Sequence, residues 1–181
     1  MKITDLHPED AQTIQQVAEL MLEAFAHIPD WLKDMDGALE EIRESFAPGH
    51  LSRVAVDDVG NALGWVGGIP QYDGHAFELH PLAVKPNAQR RGIGRALVRD
   101  LEAQARQRGA LTVYLGSDDE FGGTNLFGAD VYPNVLDHIA AIRNIRDHPY
   151  EFYQKCGYAI VGIIPDANGF GKPDILMAKR I

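Results

Sequence analysis

The chain has 181 residues, a length that predicts one domain covering residues 1–181. Hydrophobic residues make up 45% of it, and 26 acidic side chains against 17 basic ones give a formal net charge of −9. A chain this acidic lacks the basic face that nucleic-acid binding needs, and its apolar runs are too short for a membrane span. The N-terminus has no hydrophobic signal region, and a single cysteine, Cys156, fits a reducing compartment. We therefore expect a cytoplasmic protein that binds neither nucleic acid nor membrane.

Apolar spacing in the first half of the chain predicts two helices and four strands. The predicted strands are residues 3–6, 51–56, 61–72 and 75–84, and the predicted helices are residues 8–26 and 35–46. Asp57-Asp58-Val59-Gly60 lies between the second and third strands and indicates a hairpin turn.

The second half begins with the clearest helix, residues 93–108, which has Ile93, Leu97 and Leu101 on one face and ends at Gly109. The continuous apolar run LTVYLG, residues 111–116, predicts a strand buried on both faces. A helical region at 131–146, a short helix at 149–156 and strands at 158–165 and 174–180 complete the chain. The order β-α-α-β-β-β-α-β-α-β-β predicts an α+β fold with helices around a mixed, mostly antiparallel sheet.

Positive charge and glycine are concentrated where the predicted strand 75–84 gives way to the helix beginning at Ile93. The segment consists of Gln89, Arg90, Arg91, Gly92, Ile93, Gly94 and Arg95. A helix start carries unpaired N–H groups and partial positive charge, so a glycine-rich, arginine-rich start predicts a diphosphate site. The alternative is a tight turn with solvated arginines. A Rossmann fingerprint is excluded because Leu97 occupies its last small-residue position, and a P-loop is excluded because Gly171-Lys172 runs into Pro173.

The pattern Gln/Arg-x-x-Gly-x-Gly/Ala in this segment resembles the coenzyme A pyrophosphate loop of the GNAT N-acetyltransferases. The resemblance implies the GNAT fold, including a splayed pair of parallel strands, and acetyl-CoA as cosubstrate without a metal. It also implies further cosubstrate contacts from Leu82, Ala83, Val84 and Tyr153.

Five longer motifs resemble the aminoglycoside 6'-N-acetyltransferases of that superfamily, most closely the dimer-forming chromosomal type from Gram-positive cocci. They are GGIPQY, ELHPLAV, TVYLGSDDE, HPYEFYQKCGY and IVGIIPDANGFGKPDILMAK. The resemblance covers the chain from about Leu51 to its end, whereas AFAHIPDW near the N-terminus departs most from the family. It implies acetylation of the 6'-amine of aminoglycosides, antibiotic resistance and a homodimer, with the C-terminal strands as one possible interface.

Strand alternation places Glu78 and His80 on one face, and Pro81 predicts a bulge or splay of the strand just after it. An acceptor amine is protonated near neutral pH and must lose a proton, so Glu78 or His80 is expected to bind it and help remove that proton. The alternative is a polar strand face covered by solvent or loops. The resemblance implies that the N–H of Leu82 stabilises the thioester oxyanion, that Val84 pairs with pantetheine and that Tyr153 protonates the leaving thiolate.

A polycationic acceptor needs acidic side chains, and Asp118, Asp119 and Glu120 form a cluster directly after a predicted buried strand. Tyr72 and Trp31 are expected to offer apolar faces to sugar rings. A solvated turn is the alternative interpretation of the acidic run.

Two other functions fit the same residues. One is a GNAT enzyme that acetylates another amine, such as a polyamine, a small metabolite or a protein amine. The other is a non-catalytic module that binds acetyl-CoA for regulation. We expect direct transfer in a ternary complex, because the resemblance implies an apolar residue at the position of Cys156 and a free cysteine is usually a buried hydrophobe.

Overall fold

A computed structural model describes residues 1–26, 28 and 31–181, so that His27, Pro29 and Asp30 of AFAHIPDW lie outside the described residues. The chain forms two compact units, residues 1–113 with Ile181, and residues 114–180.

The first unit contains four consecutive strands and three helices. They are β1 (Lys2–Asp5), α1 (Ala11–Ala24), α2 (Met35–Glu44), β2 (Leu51–Val56), β3 (Ala62–Gln71), β4 (Ala76–Val84) and α3 (Ile93–Gln107), with 3₁₀ turns at Tyr72–Gly74 and Pro86–Ala88. The strands lie in the order β1-β2-β3-β4, each antiparallel to its neighbour. All of these helices and strands were predicted from apolar spacing, to within a few residues at each end.

Capping residues explain where α1 and α2 begin. The Asp10 carboxylate accepts a hydrogen bond from the Thr13 N–H at 3.0 Å, and Asp34 accepts one from the Gly37 N–H at 2.9 Å. Each satisfies a donor that the first helical turn leaves without a partner. The predicted first helix, 8–26, is therefore too long at its start, because Asp10 caps it and Ala11 is the first helical residue.

Helices cover both faces of this four-stranded sheet. The α1 and α2 side chains form a core with Trp65 and Ala83. On the opposite face, Gly64 and Gly68 leave room for α3, since a Cβ at either glycine would lie 3.0 Å from Leu97 or Leu101 respectively. This arrangement means that any β3 or β4 side chain on the Trp65 face points toward α1 and α2.

The second unit contains two short helices and the last strands. They are α4 (Val135–Ala140), α5 (Tyr150–Lys155), β6 (Ala159–Ile164) and β7 (Asp174–Arg180), together with β5 (Thr112–Asp118), whose first two residues belong to the first unit. β7 lies between β5 and β6, and β6 and β7 are antiparallel.

Two predictions in this region are wrong. The predicted helical region 131–146 is helical only over α4. Beyond α4, Ile145 donates its N–H to the Gly123 carbonyl at 2.7 Å, and Asn144 forms a β-bridge with Thr124. These bonds to a distant loop compete with the continuation of the helix. The strand LTVYLG is not buried on both faces, since buried and less buried residues alternate along β5 and Gly116 is exposed.

Candidate active site

β4 contains a bulge, and it lies at His80-Pro81 rather than just after Pro81 as predicted. Val66 of β3 pairs with Leu82, whereas Gly68 pairs with Leu79, so β4 has one residue more than β3 over this stretch. An extra residue shifts the strand alternation by one. Consequently Glu78 and His80 face α1 and α2 before the bulge, and Ala83 rather than Leu82 joins the α1–α2 core after it.

The bulge depends on a glycine in the neighbouring strand. A Cβ built on Gly67 would lie 2.2 Å from the His80 carbonyl oxygen, well inside van der Waals contact. Only glycine permits the two backbones to approach this closely. Gly67 therefore determines where β4 bends and where the His80 side chain lies.

Glu78 and His80 are both partly buried, whereas Phe77 and Leu79 on the other face are fully buried, as the alternation predicted. The His80 ring packs edge-on against Trp31, with 5.8 Å between centroids, and Trp31 packs in the same way against Phe25 at 4.5 Å. Two of the predicted site residues, His80 and Trp31, are thus in contact.

The structure adds Glu41, which sequence analysis missed. Its Oε1 atom lies 3.5 Å from His80 Nε2, and its side chain is 19% exposed. Burial raises the pKa of Glu41, while the nearby His80 ring acts in the opposite direction and Glu44 adds to the rise. The available sequence signal was an acidic residue directly before the buried Ile42 on the sheet-facing side of α2.

The Gly/Arg segment forms an open helix start. Gly92 is the N-cap of α3 with φ +85°, a left-handed conformation that favours glycine, and no side chain caps the helix. No atom would lie within 4 Å of a Cβ at Gly92, and the first turn of α3 contains no acidic residue. Arg90, Arg91 and Arg95 are exposed around it. These features fit an anion at the α3 N-terminus.

The same segment is attached to the end of β4. Gln89 donates from Nε2 to the Val84 carbonyl at 3.2 Å, and Ile93 is buried. The predicted cosubstrate contacts Leu82, Ala83 and Val84 therefore run directly into the loop, with Leu82 and Val84 partly buried and Ala83 fully buried. Their contacts with pantetheine stay predictions.

Tyr72 lies in the 3₁₀ turn between β3 and β4, with its side chain 77% exposed. Its backbone φ is +52°, and its carbonyl oxygen lies 2.8 Å from His75 Nδ1. The side chain is therefore accessible to a ligand. No contact joins it to the His80–Trp31 pair in the described part of the first unit.

The predicted acidic cluster separates into three environments in the second unit. Asp119 is 1% exposed, and its carboxylate accepts hydrogen bonds from the Gly123 N–H, the Thr124 N–H and the Thr124 hydroxyl at 2.7–2.8 Å. Asp118 is exposed and accepts a bond from the Asn168 side chain, and Glu120 is partly buried. The bonds of Asp119 assign its carboxylate to loop structure rather than to a ligand.

His148 also stabilises the loop that contains Asp118 and Asp119. Its Nδ1 accepts the Tyr150 N–H at 3.2 Å, so the ring proton lies on Nε2, 3.0 Å from the Asp118 carbonyl oxygen that accepts it. Burial lowers the pKa of His148, while the Asp118 carbonyl, Asp119 and Asp118 oppose the change. The folded protein therefore favours the neutral form of His148. Sequence analysis did not single it out.

Tyr153 lies in α5 and is nearly fully buried, with its ring 5.9 Å from that of Tyr158. Burial raises the pKa of Tyr153 far above its usual value, and Cys156 adds to the rise. The hydroxyl is protonated at neutral pH, as that of an ordinary tyrosine is and as a proton donor must be. Cys156 itself is partly exposed rather than fully buried.

Comparison with known proteins identifies the family. The Acetyltransferase (GNAT) family model matches residues 14–125, which include β4, the bulge and the Gly/Arg segment. The chain belongs to the GNAT acetyltransferase family. No curated protein sequence matches it.

Solved structures of GNAT acetyltransferases give a finer comparison. An aminoglycoside 6'-N-acetyltransferase complexed with coenzyme A is 40% identical, with a TM-score of 0.91 over 99% of this chain and 97% of the other. The aminoglycoside 6'-N-acetyltransferase from Enterococcus faecium is 39% identical, with a TM-score of 0.89 and the same coverage. A type Ii aminoglycoside 6'-acetyltransferase is 34% identical, with a TM-score of 0.74 and again the same coverage. The predicted GNAT fold and acetyltransferase class are confirmed.

No helix among residues 1–26, 28 and 31–181 has the length and apolar character needed to cross a membrane. The same residues contain no group of three His, Cys, Asp or Glu side chains arranged to hold a metal ion.

Proposed function

We propose that this protein transfers the acetyl group of acetyl-CoA to the 6'-amino group of aminoglycoside antibiotics and thereby confers resistance. The observation that carries the proposal is the agreement along 99% of the chain, at 40% identity, with an aminoglycoside 6'-N-acetyltransferase complexed with coenzyme A. Both substrates bind before transfer, and the amine attacks the thioester directly. Holding two reactants together removes much of the entropy cost of a bimolecular encounter.

The cosubstrate end is the start of α3. The N–H groups of its first turn, the open space beside Gly92 and the surrounding arginines provide the charge and the room for a diphosphate. Pantetheine continues along Leu82, Ala83 and Val84, where the Leu82 N–H faces the thioester carbonyl and stabilises the charge that develops on its oxygen. Gln89 keeps the loop attached to the end of this strand segment.

The acceptor end is the polar face of β4. Glu78 binds the ammonium group of the acceptor, and Glu78 or His80 takes the proton that must leave before attack. Trp31 offers an aromatic surface next to His80. The acidic net charge of −9 favours the approach of a polycation.

Four residues of the second unit were predicted to act at the site, and we propose a role for each. Tyr153 donates its proton to the CoA thiolate as the C–S bond breaks. Asp118 and Glu120 contact amino groups of the drug, with Tyr72 against a sugar ring. Asp119 acts indirectly by holding the loop that bears Asp118 and Glu120.

A thiol-release assay with an amine panel tests the function. The panel pairs aminoglycosides that have a 6'-amine with analogues that have a 6'-hydroxyl, and adds a polyamine and a peptide amine. We expect acetyl-CoA-dependent thiol release with the 6'-amines only. Equal rates on both members of each pair would refute the 6' assignment. Faster release with the polyamine or the peptide would favour the other-amine enzyme, and CoA binding without release would favour the regulatory module.

We further propose that residues 1–181 act as a single GNAT domain in the cytoplasm and form a homodimer. β6 is an edge strand of the second unit, and Val161 and Ile164 on it are 64% and 49% exposed. Exposed apolar side chains on an edge strand are typical of association. Val161→Glu should lower the mass measured by sedimentation to that of a monomer, whereas Val59→Glu in the β2–β3 turn should leave it unchanged. A dimer that survives Val161→Glu would place the interface elsewhere.

A further inference from the structure

Glu41 and His80 form a carboxylate–imidazole pair that joins α2 to β4. Glu41 Oε1 lies 3.5 Å from His80 Nε2, with the side chains 19% and 43% exposed. The pair is built from two elements far apart in sequence, and the β4 bulge determines where its imidazole stands. Nε2 faces the carboxylate, so Nδ1 is the ring nitrogen left to exchange a proton elsewhere.

The surroundings restrict the His80 ring further. Trp31 packs edge-on against it with 5.8 Å between ring centroids, and Phe25 packs in the same way against Trp31 at 4.5 Å. An imidazole held by an aromatic ring on one side and by a carboxylate at one nitrogen has a restricted orientation. A carboxylate at one nitrogen also favours the tautomer with the proton on that nitrogen.

A partly buried carboxylate is costly for stability unless it has a partner. Glu41 lies between the buried residues Ala38 and Ile42 of α2, where an apolar side chain would pack against the core without that cost. Burial raises the pKa of Glu41, and His80 offsets part of the rise. A carboxylate that lowers the stability of the fold at this position is consistent with a functional role for Glu41, in which it acts on His80.

We propose that Glu41 is a positioning residue for acetyl transfer, which holds His80 with its proton on Nε2 so that Nδ1 accepts the proton of the acceptor ammonium group. The inference rests on the proposed function for its chemistry, but not for the geometry of the pair.

The Nδ1 lone pair takes a proton from the ammonium group, directly or through a water, and the ring becomes an imidazolium stabilised by Glu41. The freed amine lone pair forms the new C–N bond at the thioester carbonyl carbon. The nitrogen then gives up its second proton to solvent, and the C–S bond breaks with its electron pair leaving on sulfur. The thiolate takes a proton from the Tyr153 hydroxyl, which recovers one from solvent. The imidazolium then returns its proton to solvent.

Steady-state kinetics with the best acceptor of the amine panel test the positioning role. Glu41→Gln keeps an acceptor oxygen and should lower kcat roughly 10-fold, and Glu41→Leu, which has none, roughly 100-fold. Neither loss exceeds the roughly 10²–10⁴ that a general base supplies, as expected for a residue that acts through the base. Glu40→Gln on the same helix, where Glu40 is 61% exposed and pairs with Arg43, is the matched control and should stay near wild type.

A double-mutant comparison separates positioning from direct binding. If Glu41 acts through His80, Glu41→Leu in a His80→Gln background should change kcat less than twofold. A loss as large as that in the wild-type background would overturn the proposal. So would a rise in acceptor KM with kcat unchanged, because this is the result expected if Glu41 simply bound the ammonium group.

Imidazole ¹⁵N NMR tests the pair without any activity, so that a failure of the inference can be distinguished from a failure of the proposed function. His80→Gln identifies the His80 signals by their loss. At about pH 8.5 we expect wild-type His80 to carry its proton on Nε2 and Glu41→Leu to show a mixture of tautomers. The same tautomer ratio in both proteins, each shown to be folded by a cooperative thermal transition, would overturn the inference whatever the acceptor is.

Discussion

Replacing Gly67 with alanine tests whether the β4 bulge positions the site. The new Cβ would lie 2.2 Å from the His80 carbonyl oxygen, about 0.8 Å inside the 3.0 Å that Cβ contacts almost never undercut. The obstacle is backbone and cannot rotate away, so β3 and β4 must separate. Overpacking costs about 1–3 kcal/mol and a lost ladder hydrogen bond about 1 kcal/mol, which predicts a loss of about 2–4 kcal/mol in the free energy of unfolding.

Urea unfolding and acetyl-CoA binding by calorimetry measure the two consequences. Gly67→Ala should unfold at lower urea and, where it remains folded, bind acetyl-CoA more weakly, because Leu82 and Val84 follow the displaced bulge. Gly162→Ala in β6 is the matched control, since its Cβ would meet only Leu176 at 3.9 Å. Equal stability and equal acetyl-CoA affinity in the two variants would refute the role of the bulge.

Three further substitutions probe the acceptor face and the second unit. Glu78→Gln should raise the acceptor KM more than it lowers kcat, because it removes the charge that binds the ammonium group; an unchanged kcat/KM would exclude a role for Glu78. Asp119→Asn should cost about 1–3 kcal/mol in urea unfolding, because an amide nitrogen replaces one of the oxygens that accept buried N–H groups; the exposed Asp118→Asn is the control, and an equal loss there would contradict the loop-holding role. Burial holds the pKa of His148 in the folded protein below its ordinary value of 6.5. As the pH falls below 6.5, the unfolded chain therefore binds a proton at His148 that the folded chain does not. The free energy of unfolding decreases until the pH has passed the folded-state pKa. His148→Gln should therefore lose less stability than wild type between about pH 7.5 and pH 5, and identical pH slopes would count against a buried neutral His148.

Sequence patterns located most of the fold and the cosubstrate end of the site. The limits of β2 and β7 agree with the predicted strands, and α3 begins at Ile93 as predicted. These elements have strong apolar periodicity and end at glycine, proline or charged turns, so local sequence determines them. The Gly/Arg segment is equally local, because its chemistry lies in one turn and the first residues of one helix.

The features that sequence analysis missed are tertiary. Glu41 belongs to the site only because α2 packs over the face of β4 that bears His80, and no local pattern encodes this contact. The acidic run Asp118 to Glu120 gave no indication that Asp119 turns inward to Gly123 and Thr124. Likewise, the helix expected at 131–146 had adequate local spacing, but hydrogen bonds to residues 123 and 124 ended it early.

The position of the acetyl group on the product tests the central claim most directly. The protein is incubated with acetyl-CoA and an aminoglycoside that has several amines, and the purified product is examined by heteronuclear NMR. The account predicts a single acetamide at the 6'-nitrogen and one equivalent of free CoA. An acetyl group at another amine or at a hydroxyl, or no acetylated product at all, would contradict it.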